Sequence, residues 1–185
     1  MLRKLLLAAA VAVPCLLLAV ASRSDTFHVE RSIVIAAPPE RAFAQVNDFH
    51  AWTAWSPYDK LDPGMSRTFE GPSSGPGAAY AWAGNDKVGK GRMTITKSVR
   101  PSEIAIDLAF AEPFACTNVA TFRFEPAPEG TRVTWAMDGQ NKFVGKAMSI
   151  FVDMDAMVGG DFERGLASLK ALSEAPVQTA SASPN

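Results

Sequence analysis

Glu103-Ile104-Ala105-Ile106-Asp107-Leu108-Ala109-Phe110 puts a large apolar side chain at every second position and a small or acidic one between. That period of two belongs to a strand with one face buried and one face turned outward. Ile104, Ile106, Leu108 and Phe110 share the inward face, while Ala105, Asp107 and Ala109 share the other. The same reading extends to both sides. Arg92 to Val99 precedes this run and Thr117 to Glu125 follows it, with Arg100-Pro101-Ser102 and Ala111-Glu112-Pro113 as the connecting turns. A further run, Thr131 to Asp138, follows a Pro and Gly turn, and short candidates at Ser66 to Glu70 and Ala78 to Ala83 sit in a stretch rich in glycine and proline. Together they predict an antiparallel meander of six strands.

Before the meander, Phe27 to Ile35 alternates and is read as the first strand. Pro38-Pro39-Glu40 opens a short helix with Ala42, Phe43, Val46 and Phe49 at helical spacing, and Asp48 to Trp55 is read as a second small helix ended by Ser56-Pro57. After the meander the period lengthens. Met148, Phe151, Met154, Val158, Phe162, Leu166 and Leu169 recur at steps of three and four, which predicts an amphipathic helical segment from Lys142 to about Leu172. Gly159-Gly160 is expected to split it, with Asp161 capping the second piece. These elements bury their apolar faces together if the sheet curls around the last helix, which makes the chain α+β.

The chain has 185 residues, the size of one domain plus extensions. Its formal charge is −1 with Lys and Arg dispersed, which argues against nucleic acid as a partner. Arg3-Lys4 precedes a wholly apolar run, Leu5 to Ala21, in the order of a secretory signal or signal anchor. Seventeen helical residues cover about 25 Å, just short of a hydrocarbon core of about 30 Å. Ala19-Val20-Ala21 equally fits a signal-peptidase site. The expectation is therefore a single-pass membrane protein with its domain on the outer, periplasmic side, or export after cleavage. Three regions result: 1–26 as signal anchor or signal peptide with a short linker, 27–172 as the folded domain, and 173–185 as a disordered tail of small and polar residues.

Val29-Glu30-Arg31-Ser32-Ile33, Ala37-Pro38-Pro39-Glu40 with Phe43 and Val46, Trp52-x-x-Trp55-Ser56-Pro57, and Met154-Asp155-x-Met157-x-Gly159-x-Asp161-Phe162-Glu163-x-Gly165-Leu166 carry a resemblance. They resemble the START-like (SRPBCC) superfamily, and more closely its bacterial polyketide cyclase/dehydrase-like branch, over about residues 27 to 172. The resemblance implies a helix-grip fold, a curved antiparallel sheet wrapped around a long C-terminal helix, with a hydrophobic tunnel between them. It implies no particular reaction, because members bind lipids, sterols, polyketides or plant hormones and only some are enzymes.

Strand alternation and helical spacing nominate Trp55, Tyr80, Trp82, Met93, Ile106, Leu108, Phe122, Trp135, Met137, Phe151, Met154 and Phe162 as the lining of such a tunnel. Each equally suits a plain core. Arg31 shares its face with Phe27, Val29, Ile33 and Ile35, so its stem packs while its head reaches water, a carboxylate, or the anionic head of a ligand. His28 and His50 stand without metal-ligand spacing, and no nucleophile–base arrangement or phosphate loop occurs, so no catalytic residue, metal or cofactor is nominated. Cys116 is read as a small apolar residue, and Glu70, Asn85 and Asn118 as turn or surface residues near a pocket mouth. The leading expectation is non-catalytic binding of an apolar or amphipathic, lipid-like molecule. A polyketide cyclase or dehydratase is one alternative. Another is an interaction module with a closed core that shows Trp52, Trp55 and Tyr58 to a partner.

Overall fold

In the computed structural model the described residues are 14, 18, 20–141, 145, 146 and 153–176, with Met154 described by its backbone alone. Strand β1 (Thr26–Ile35) leads into helix α1 (Pro39–Asn47), a 3-10 turn (Phe49–Ala51), the one-turn helix α2 (Trp52–Trp55) and a second 3-10 turn (Tyr58–Lys60). Strands β2 (Ser66–Glu70), β3 (Ala79–Ala83), β4 (Lys90–Val99), β5 (Glu103–Glu112), β6 (Cys116–Ala127) and β7 (Gly130–Gln140) follow, and helix α3 (Met154–Glu174) closes the described chain. All seven strands form one antiparallel sheet in the order β1-β7-β6-β5-β4-β3-β2, so the first strand pairs with the last. The predicted meander and its inward set are all present in the core or packed against it, apart from Phe110, which is half-buried.

Helix α3 lies across β1 and meets α1 and α2. Its buried stripe is Val158, Phe162, Leu166 and Leu169, as the helical spacing predicts. The expected break at Gly159-Gly160 does not occur, because α3 runs unbroken through both glycines. The cap is Asp153, whose side chain accepts from the Ala156 amide at 3.1 Å, and Asp161 is an interior residue paired with Arg164. Glycine weakens a helix interior by about 1 kcal/mol relative to Ala, a preference that tertiary contact overrides here. A Cβ at Gly159 would stand on the Arg31 guanidinium, so the bare backbone is what admits that side chain.

The helix also outruns its expected end at Leu172 by one half-turn. Glu174 accepts from Lys170 at 2.6 Å and from the Ala36 amide at 2.6 Å, and Arg41 donates to the carbonyl of Ala175. Those bonds tie the terminus to the loop after β1, and Lys170 together with the Ala36 amide holds the Glu174 carboxyl below its ordinary range. The Asp48 to Trp55 segment begins as a 3-10 turn, with Asp48 accepting from the His50 amide. The apolar run 5–21 lies almost wholly outside the described residues, as do Phe151 and the tail beyond Pro176. Among the described residues no helix is long and apolar enough to cross a membrane.

Candidate functional site

The concave face divides into a filled half and an open half. In the filled half Trp52 and Trp55, from α2, stand edge-on to Phe122 and Trp135, with Trp55–Trp135 centroids 5.7 Å apart. Trp135 stacks on Phe122 at 4.9 Å and on Phe162 of α3 at 4.0 Å. Gly165 lets α3 approach that closely, since a Cβ there would lie 2.8 Å from Trp135 Cζ3 and 3.0 Å from Pro57 Cδ. The indoles of Trp52 and Trp55 donate to the carbonyls of Val46 and Gln45, at 3.0 and 3.2 Å. Trp55, Ile106, Phe122, Trp135 and Phe162 from the nominated lining are therefore solid core. The expected partner-facing patch does not form: Trp52 and Trp55 are buried and Tyr58 is packed against the core, because α2 turns its aromatic side toward the sheet.

The open half follows from strand register. Tyr80 stands opposite Met93, Met93 opposite Leu108, Leu108 opposite Asn118, Asn118 opposite Gly139, and Gly139 opposite Phe27, one inward row crossing six strands. Beyond it Trp82 lies across Gly91 and meets Phe110 edge-on at 5.5 Å. Trp82, Leu108, Phe110, Cys116 and Phe27 are only half-buried, whereas Met93 and Met137 form the floor. Tyr80, Trp82, Met93, Leu108 and Met137 share this inward face, spread over β3 to β7. Phe151 falls outside the described residues, and so does the side chain of Met154.

A cavity of about 470 Å³ lies beyond the β1–β7 edge, lined by Val20, Ala21, Asp25, Thr26, Gln140, Asn141 and Lys146, and shares no residue with the inward row. Its size is that of small-molecule sites. Lys146 pairs there with Asp25. A second cavity of about 230 Å³ lies at the opposite edge between Phe49, His50, Phe69 and the turn after β2. His50 stacks on Phe69 at 4.1 Å, its Nδ1 2.8 Å from Asp48.

Arg31, the Arg67–Asp59 pair, Tyr80 and Asn118 bring polar groups to the inward side. Arg31 spends all five donors: Nε to Glu163 at 2.8 Å, Nη1 and Nη2 to the Asp155 carboxylate at 3.0 and 2.9 Å, and the remaining two to the carbonyls of Glu30 and Asp155. These bonds raise the guanidinium's pKa and lower that of Asp155. Arg67 binds the buried Asp59 at 2.8 Å and the carbonyl of Met65 at 3.0 Å. Beside that pair the Tyr80 hydroxyl is buried without a hydrogen bond of normal geometry, and burial, then the charge of Asp59, pushes it up to about 12. Asn118 is buried on the inner face and not at the surface as expected. Extending the alternation of Phe124, Phe122 and Ala120 by one step reaches it, and its polarity alone suggested a turn. Asp107 is exposed on the outer face, as alternation predicts, and no group of three or more metal-ligating side chains occurs among the described residues.

Solved structures with the same fold share little sequence with the chain. A crystal structure of a Chromobacterium violaceum protein aligns at a TM-score of 0.58 with 17% identity, over 82% of this chain and 99% of that one. The Aha1 dimer from Colwellia psychrerythraea, solved in solution, gives 0.57 and 16% over 80% and 96%. The di-domain ARO/CYC StfQ from the steffimycin biosynthetic pathway gives 0.57 and 10% over 80% of this chain and 51% of that one. No curated protein matches the sequence. The family model described as polyketide cyclase / dehydrase and lipid transport matches residues 26–174, from the first residue of β1 to the last of α3, and the chain belongs to that family.

Proposed function

We propose that the domain holds one apolar or amphipathic small molecule at the open half of its concave face and does not transform it. The observation that carries this reading is the half-buried set Trp82, Leu108, Phe110 and Phe27 above the Met93 and Met137 floor. Large apolar side chains left partly uncovered on a concave face gain from a ligand that removes them from water, at about 25 cal/mol per Å². Methionines suit a site that must conform to varied apolar shapes. Binding without turnover is supported by the commitment of the inward ionisable groups, since Asp59 is tied to Arg67 and Arg31 to two carboxylates. The family description, which includes lipid transport, agrees with a lipid-like ligand.

The same proposal keeps the domain on the outer side of a membrane through residues 5–21, or exports it after cleavage at Ala19-Val20-Ala21. N-terminal sequencing of the protein from a membrane fraction separates the two. Native mass spectrometry of the full chain from its own host tests the binding. A stoichiometric adduct that extracts into organic solvent supports it. An empty protein that takes up no member of a broad lipid and aromatic panel overturns it.

A further inference from the structure

Asn118 is the one inward side chain of the open row with a carboxamide, and among the described residues it has a single weak partner. It is 9% exposed, and among the described residues its Nδ2 reaches only Met137 Sδ at 3.9 Å, a weak acceptor. Its Oδ1 accepts no hydrogen bond among the described residues. Room for it is built in. Gly139 stands opposite both Asn118 and Phe27, and a Cβ there would stand on Asn118 Oδ1 and on the Phe27 ring. A residue disfavoured in strands is thus kept in an apolar setting, at a glycine that clears space for it, where a leucine of similar size would avoid the cost of desolvating an amide.

The surroundings narrow what the amide meets. Phe27, Leu108 and Met137 border it, and the inward arginines on the sheet are neutralised within the fold, Arg31 by Asp155 and Glu163 and Arg67 by Asp59. An anionic head would enter apolar surroundings where both of these cations are already spent, whereas a carboxamide can donate to or accept from an uncharged oxygen. We infer that Asn118 orients the ligand, and that the ligand is an uncharged apolar molecule carrying a hydroxyl or carbonyl, such as an alcohol, ketone or ester, rather than a fatty-acid-like anion. The inference rests on the binding reading above.

The test is equilibrium dialysis of the full chain at pH 7 against naphthalene, 2-naphthol and 2-naphthoate, with wild type and Asn118→Leu under identical conditions. Wild type is expected to hold 2-naphthol about tenfold more tightly than naphthalene, and 2-naphthoate no more tightly than naphthalene. In Asn118→Leu the 2-naphthol preference is lost while naphthalene binds as well or better, and the melting temperature stays level or rises. A preference that survives the substitution, or 2-naphthoate binding best, overturns the inference and leaves the binding reading standing. A fall in melting temperature with the preference intact assigns Asn118 a structural role and also overturns it. If Asn118→Leu does not fold, Asn118→Ala is read by the same ratio. Failure of all three compounds to bind wild type removes the binding reading, and this inference with it.

Discussion

Arg31 couples the first strand to the last helix through charge, and the coupling depends on pH. The Asp155 carboxyl is held below its ordinary range chiefly by its hydrogen bonds to the guanidinium. A carboxyl depressed in the folded state stabilises it above the ordinary carboxyl pKa near about 4, and that contribution is lost as the pH falls through the depressed value. Asp155→Asn is therefore expected to melt below wild type at neutral pH, with the gap closing as the pH falls below the ordinary carboxyl range and through the depressed value. Thermal melts across that range decide it, and a gap independent of pH would sink the assignment. Tyr80 offers the opposite case. Its hydroxyl is buried without a bonded partner, so Tyr80→Phe should cost nothing or stabilise by up to about 1 kcal/mol in urea denaturation. A loss above about 1 kcal/mol would mean that the hydroxyl does bond, with Arg67 or Asp59 as its neighbour.

At the scale of the element, the two adjacent glycines of α3 should answer one substitution in opposite ways. A Cβ at Gly160 meets nothing nearer than Arg164 Nη1 at 3.6 Å, so Gly160→Ala is expected to stabilise by about 0.5–1 kcal/mol through helix propensity. Gly159→Ala displaces the Arg31 guanidinium and should destabilise by about 1–3 kcal/mol despite the same propensity gain. Equal effects at the two positions in chemical denaturation would refute this account. The pair also shows where sequence reading ends. The strands were legible because an inward set at every second residue, as in Ile104, Ile106 and Leu108, is written in local order. Gly159 looked like a break because its reason lies on β1, far away in the chain, and no local pattern records it. Asn118 was misassigned for a related cause: its polarity outweighed its place in the alternation, although the alternation was the better guide.

For the whole molecule, the filled and open halves should separate stability from binding. Phe122→Ala removes a fully buried ring from the aromatic cluster and is expected to cost about 3–5 kcal/mol. Leu108→Ala, at the half-buried mouth, should cost roughly half as much or less while weakening whatever apolar compound the protein takes up. Paired melts and uptake measurements check both, and a Leu108→Ala protein with unchanged uptake would move the site elsewhere. The family and the sheet-around-helix plan were legible from motifs spread over the chain. The division of the concave face was not, since it depends on which strands α2 and α3 cover, and only the fold determines that.

The pairing of β1 with β7 has a consequence in time. The first strand to emerge from the ribosome or a translocon has its partner about a hundred residues further along the chain. Until then Val29, Ile33 and Ile35 present an apolar strand with unmade backbone bonds, open to wrong partners or to a chaperone. The Arg31 clasp forms later still, because Asp155 and Glu163 follow β7. The native partners of β1 and of Arg31 are therefore both supplied only by the C-terminal part of the chain.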